Sequence, residues 1–289
     1  MAKIADILAA GPSYSFEFSP PRTPDAEAQF WPTLEELLPL APSYFSVTYG
    51  AGGSTRDTTR DLVIRINRDY GVPAMAHLTC AAHSRAELVE LVTSYRDSGV
   101  VENILALGGD PPVGYEGPPG DLTHADELVE LIKGVGDFSI GVAAHPEPHP
   151  RSPSLADDRR HTAEKLASSD FAITQFFFEA RHYFELVESL AALGCTKPVI
   201  PGIMPATSVA SIKRMAQLQG SEFPTWLAEK LMAADDDGPE AVLAAGVAEA
   251  TRLCEELLDG GVPGLHFFAF NRTTALAAAS IHRGLGLPR

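Results

Sequence analysis

Positive charge is what this 289-residue chain has least of. Its 22 Lys and Arg stand against 38 Asp and Glu, a formal net charge of −16. So acidic a surface repels phosphate backbones and argues against a nucleic-acid partner. An anionic small ligand then needs a local cation, so every Arg or Lys near a site is informative. Cysteine is scarce too: Cys80, Cys195 and Cys254 are widely spaced and form no CxxC. That excludes a disulfide framework and a thiolate zinc site, and leaves each thiol as a small buried hydrophobe. No run reaches the ~18 apolar residues of a membrane span. The opening MAKIADILAAGPSYSFEF has no basic segment followed by a long apolar stretch, so the expectation is a cytoplasmic protein without a signal peptide. There is no P-loop and no GxGxxG.

What is there is apolar and rhythmic. Hydrophobic residues make up 45% of the chain, enough to fill a large core. A strand-like run followed by a helical pattern recurs eight times, with strands expected at Tyr14–Phe18, Tyr44–Tyr49, Pro73–Thr79, Asn103–Leu107, Ser139–Ala144, Phe171–Phe177, Pro198–Ile203 and Gly264–Phe270. Unbroken apolar runs such as NILAL suit a parallel sheet covered on both sides. Helices are expected at Arg85–Gly99, Ala125–Val135 and Gly238–Leu258, with Ser84 and Ser208 as N-caps. Eight β-then-α units in this length predict an α/β fold, a closed (β/α)₈ TIM barrel. The rival open sheet lacks its glycine-rich phosphate turn, because Glu-Phe-Ser-Pro-Pro-Arg occupies that position. One domain over residues 1–289 is expected, with a short insertion around 221–237.

Barrel chemistry collects at the C-terminal strand ends. In order these carry Glu17, Thr48, His77, Asp110, His145, Gln175, Met204 and Arg272. Alternation turns Glu17 away from Phe16 and Phe18, into the barrel. Apolar walls there would favour its neutral form and make it a proton donor; the other reading ties it to a cation from another strand. Asp110, after Gly108 and Gly109, either stabilises a developing cation or caps a turn. Gln175 presents a paired donor and acceptor, suited to a pterin or nicotinamide edge or to a loop backbone. Arg272 is a carboxylate anchor or a salt-bridge partner. His77, His145 and His149 suggest either a metal-dependent hydrolase or ligand contacts, although Pro146, Pro148 and Pro150 prevent a helical His pair.

Eight segments occur in an order that resembles the methylenetetrahydrofolate reductases: FEFSPPRT, FSVTYGAGGSTRD, AHLTC, ALGGDPP, AAHPEPHP, AITQFFFE, IPGIMP and HFFAFNRT. The resemblance runs from about Ser13 to Leu285. It implies a (β/α)₈ barrel that reduces 5,10-methylenetetrahydrofolate to 5-methyltetrahydrofolate with NADH or NADPH. Glu17 resembles the general acid that opens the imidazolidine ring to a 5-iminium cation, and Asp110 the carboxylate that stabilises this cation. Gln175, Phe178 and Arg272 fall at folate-contacting positions. Thr48, His77, Gly109, His145 and Gln175 would border the cofactor.

Most relatives carry FAD, and here the chain departs. Gly108 stands where flavin-binding relatives usually have Arg, His145 where they have Tyr, and His161 where they have Asn. Asp158 and Lys165 are retained, while Val209 stands where some relatives place a Phe. Losing one charge-assisted bond to a polyanionic cofactor costs roughly 1.5–3 kcal/mol. The expectation is therefore direct hydride transfer without flavin, with ping-pong transfer through bound FAD as the alternative. No exposed heptad demands an assembly, so the oligomeric state is left open.

Overall fold

A computed structural model describes residues 1–50, 53–109 and 114–287. Eight parallel strands close into a barrel in chain order. They are β1 (Ser13–Phe18), β2 (Tyr44–Val47), β3 (Ala74–Thr79), β4 (Asn103–Leu107), β5 (Ser139–Ala144), β6 (Phe171–Phe176), β7 (Val199–Ile203) and β8 (Gly264–Phe268). The expected (β/α)₈ barrel is the observed fold, and β4 and β5 match the expected bounds. β2 stops two residues early because the chain is already turning: the Gly50 N–H donates to Thr55 Oγ1, and the Tyr49 hydroxyl lies 3.0 Å from His83 Nε2.

The outer helices are α1 (Ile4–Ala10), α2 (Pro24–Leu37), α3 (Arg56–Arg65), α4 (Arg85–Asp97), α5 (Ala125–Val135), α6 (Leu155–Ala167), α7 (Ala180–Ala192), α8 (Val209–Gln219), α9 (Thr225–Asp235), α10 (Pro239–Asp259) and α11 (Arg272–Gly284). Their starts follow local chemistry. Ser84 and Glu87 close a reciprocal capping box on α4, and Ser208 accepts from the Ser211 N–H at the head of α8; such caps satisfy donors the first turn leaves unpaired. The segment around 221–237 contains α9. None of the described helices is long and apolar enough to cross a membrane.

Strand alternation sorts the side chains into an outer and an inner core. Phe16, Phe45, Ala76, Ile104, Val142, Ala172 and Phe267 pack between sheet and helices. Tyr44, Met75, Leu105, Phe171, Ile173 and Ile200 fill the barrel interior with Ile4. Ile4 belongs to α1, which plugs the N-terminal end: its N–H donates to Asn103 Oδ1 at 2.7 Å, and the Ala5 N–H to Ser139 Oγ at 3.1 Å. A third cluster lies where Phe176, Met204 and Phe268 meet α8, α9 and α10.

Candidate active site

Above the apolar filling of the barrel lies a polar layer centred on Glu17. β1 pairs Glu17 with Ser46 on β2 and with Phe268 on β8, and pairs Ser15 with His266. Since Phe16 and Phe18 belong to the outer core, the residue between them points inward, as alternation predicts. Glu17 is 4% exposed. Its Oε2 accepts from Ser46 Oγ at 3.3 Å and lies 3.0 Å from His266 Nε2 and 3.2 Å from His77 Nε2. Among the described residues no hydrogen bond or ion pair falls on Oε1, so one carboxyl oxygen is tied down and the other is uncommitted.

This environment corrects the reason given for a proton-donating Glu17. The carboxyl does not sit among apolar walls. Burial alone would raise its pKa, but the neighbouring His77 ring and the hydrogen bond from His266 outweigh it. They hold Glu17 well below the usual carboxylate range. The tie to another strand exists, through histidines instead of Lys or Arg.

The other rim residues separate into those that line the mouth and those occupied elsewhere. Thr48 follows β2, and its carbonyl accepts from Thr59 Oγ1 at 2.9 Å. Gly109 has φ +75°, and an added Cβ would lie 2.6 Å from Thr79 Cβ, so the loop after β4 can press onto β3 only with glycine there. Gln175 is half-buried in the inward phase of β6 with Phe171 and Ile173; its side chain makes no hydrogen bond to a described residue. Asp110 lies outside the described residues. Phe178, expected at the folate, is buried in the third cluster, with Phe176 and Phe223 rings at 5.7 and 5.5 Å. Arg272 Nη2 sits 2.7 Å from Glu36 Oε1 on the last turn of α2, so here the guanidinium makes the salt bridge.

The three histidines weighed as metal ligands do not gather. His77 is engaged with Glu17, whereas His145 and His149 meet edge to face, with centroids 4.6 Å apart. Among the described residues the group close enough to share an ion is Glu147, His182 and Glu222. Arg181 already reaches that acidic cluster, 3.6 Å from Glu222 and 2.8 Å from Glu179.

Cationic groups converge on the loop after β5. The buried Arg159 guanidinium donates to the His145 carbonyl at 2.7 Å and to the Pro146 carbonyl, and Asp158 Oδ1 accepts from the His149 N–H at 3.2 Å. Lys165 forms no ion pair with a described residue, and burial pushes its ammonium pKa down. Burial first, then the charges of Lys165, His149, Arg159 and Arg151, push the His145 imidazole down from 6.5 to about 3. Between those values the unfolded chain binds a proton that the native ring refuses. Stability should therefore be lost as pH drops through that window, by up to ~1.4 kcal/mol per pH unit. His145→Gln is expected to flatten the decline, measured as urea midpoints across the window; parallel curves for the two proteins would refute it.

Sequence reasoning missed His266, Ser46 and Ser15. The available signal was phase: Gly264, His266 and Phe268 alternate to the same side as Ser15 and Glu17.

Residues 3–284 match the family described as methylenetetrahydrofolate reductase. A protein of Pectobacterium carotovorum named 5,10-methylenetetrahydrofolate reductase is 38% identical over 89% of this chain and 85% of its own length. An Arabidopsis thaliana protein named methylenetetrahydrofolate reductase (NADH) 1 is 32% identical over 99% of this chain, which spans 50% of the longer plant protein. Among solved structures, a Clostridium thermocellum protein described as binding two copies of 5-methyl-5,6,7,8-tetrahydrofolic acid shares the fold, with TM-score 0.70, 15% identity, and 97% and 98% of the two chains covered. By the span of the family match and the identity to its curated members, the chain belongs to the methylenetetrahydrofolate reductase family.

Proposed function

We propose that the protein reduces 5,10-methylenetetrahydrofolate to 5-methyltetrahydrofolate by direct hydride transfer from NADH or NADPH. The observation that carries this reading is the buried Glu17 carboxyl, held on Oε2 by Ser46 and His266, with Oε1 in no hydrogen bond to a described residue. Opening the imidazolidine ring requires a proton on the departing nitrogen and leaves a 5-iminium cation that accepts hydride readily. Glu17 supplies that proton. Asp110, by its place in ALGGD, offers negative charge to the cation. Gln175, with its amide uncommitted, pairs with the pterin edge. Arg272 would reach the folate only by leaving Glu36.

FAD, which most of the family carries, fits these residues poorly. Gly108 offers no side chain, and Arg159 is committed to the backbone carbonyls of His145 and Pro146. Lys165 then remains as the one ammonium of that set free of an ion pair among the described residues, a weak complement to a diphosphate in a chain of net charge −16. In the direct reading Thr48, His77, Gly109 and His145 border the nicotinamide. The NADH in the plant relative's name agrees with a nicotinamide donor. The test is an absorbance spectrum of the purified protein together with NADH and NADPH oxidation in the presence of methylenetetrahydrofolate. Turnover by colourless protein is expected; turnover with a stoichiometric flavin band would overturn direct transfer, and no turnover would overturn the reductase reading.

A further inference from the structure

Over the stretch they share, β6 carries one residue more than β7. Ala172 pairs with Val199 and Ile173 with Ile200, yet the next pair is Phe176 with Gly202, so Thr174 and Gln175 together face Pro201. This is a β-bulge, which interrupts the ladder and re-aims side chains. Pro201 marks the place in the sequence: a closed barrel has no edge strand, and proline inside a sheet is otherwise kept to bulges and strand starts. The bulge also resets the alternation. Continuing from Phe171 and Ile173, which fill the interior, strict alternation would send Phe176 outward and Phe177 inward. The structure has the reverse. Phe176 meets Phe268, which shares the inward phase of His266, edge to face at 6.2 Å, while Phe177 lies in the outer core and stacks on Tyr183 at 6.2 Å. Gln175 and Phe176, neighbours in sequence, can both take the inward phase only because of the extra residue.

Thr174, 1% exposed, closes the bulge: its Oγ1 accepts from the Gly202 N–H at 2.9 Å. An added Cβ at Gly202 would overlap the Thr174 carbonyl and lie 2.8 Å from the Phe268 ring, so glycine lets the strands meet there. One residue past Gln175, the Phe176 carbonyl accepts from Ser221 Oγ at 3.2 Å. Gln175 is thus carried on backbone tied on both sides.

We propose that Thr174 is a positioning residue for the Gln175 amide: its hydroxyl locks the β6 bulge and so fixes the direction from which Gln175 meets the pterin edge. The pterin as partner of that amide rests on the reductase reading above. An amide that donates and accepts along one edge tolerates little rotation, because both bonds need alignment at once. Without the tie the bulge is free to shift along β6, and a one-residue slip turns a side chain to the opposite face.

The experiment is a double-mutant cycle over Thr174→Val, which keeps the shape and removes the acceptor, and Gln175→Ala, with Thr174→Ser as the variant that keeps the hydroxyl. Each protein is measured for kcat/KM with methylenetetrahydrofolate and, by calorimetry, for affinity to 5-methyltetrahydrofolate. Thr174→Val alone should lower kcat/KM roughly tenfold, short of the ~10²-fold that about 1 Å of misplacement can cost, and Thr174→Ser should stay within about twofold of wild type. In the Gln175→Ala background Thr174→Val should cost less than about twofold, because the group it positions is gone and coupled residues do not add. A merely structural role would instead give losses that multiply in the double variant. That result, or wild-type behaviour of Thr174→Val, overturns the proposal. Wild-type protein gives a check that needs no variant to fold: the Gly202 amide hydrogen should exchange as slowly as the other β7 amides, and exchange at the rate of an exposed loop overturns the tie. Wild-type protein that binds 5-methyltetrahydrofolate but oxidises no nicotinamide overturns the reductase reading alone, and the affinity cycle still decides for or against Thr174.

Discussion

Glu17→Gln is expected to lower kcat for methylenetetrahydrofolate reduction by roughly 10²–10⁴-fold, the range of a lost general acid. The substitution is nearly isosteric, so the barrel interior keeps its packing. A Gln carbonyl still accepts from Ser46 and His266, so neither donor is stranded in the core. What disappears is the group that passes a proton to the leaving nitrogen. Binding should therefore survive: the affinity for 5-methyltetrahydrofolate, read by titration calorimetry, should stay within a few fold while steady-state NADH oxidation collapses. Near-normal turnover would strip Glu17 of the acid role and leave it as a buried carboxylate hydrogen-bonded to Ser46 and His266.

The strands were legible because each carries its own signal. NILAL and SIGVAA are short, apolar and bounded by turns, and their limits agree with β4 and β5 to the residue. The inward direction of Glu17 was legible for the same reason, since one step along a strand reverses a side chain. Its surroundings were not. The partners that set its proton affinity lie on β2, β3 and β8, and His266 is separated from it by 249 positions. In GLHFF that histidine reads as one more core residue; only closure of the barrel brings β8 beside β1. The partner of Arg272 was hidden in the same way, because Glu36 is 236 positions away on an outer helix and nothing local joins them. Phe178 carries chemistry that serves two ends: an aromatic next to a rim amide can stack on a ligand or fill a core, and α8 and α9 pack against it here. The plug was invisible because α1 packs against the barrel floor, where no rim pattern announces it.

Gly108→Arg tests the cofactor reading from the opposite side, by adding what the sequence lacks. Gly108 directly follows β4, and its carbonyl accepts from the Ala81 N–H at 3.1 Å, so its backbone is held against β3. Among the described residues an added Cβ would find nothing closer than the Thr123 carbonyl at 3.9 Å, so that neighbourhood leaves room for a side chain. Gly109 is the contrasting position, where positive φ and the Thr79 contact forbid a side chain. A guanidinium at 108 would add one charge-assisted bond to a diphosphate, roughly 1.5–3 kcal/mol. At about 1.4 kcal/mol per decade, FAD should bind roughly 10- to 150-fold more tightly. The measurement is quenching of flavin fluorescence on titration with wild-type and variant protein at fixed ionic strength. Added salt should shrink the gain, because an ion pair at an open mouth is screened. An unchanged FAD affinity would move the cause away from Gly108, to the committed Arg159 or to His145. A wild-type protein that already holds flavin tightly would show that Lys165 and the loop backbone suffice for the diphosphate, and the direct hydride route would lose its physical basis.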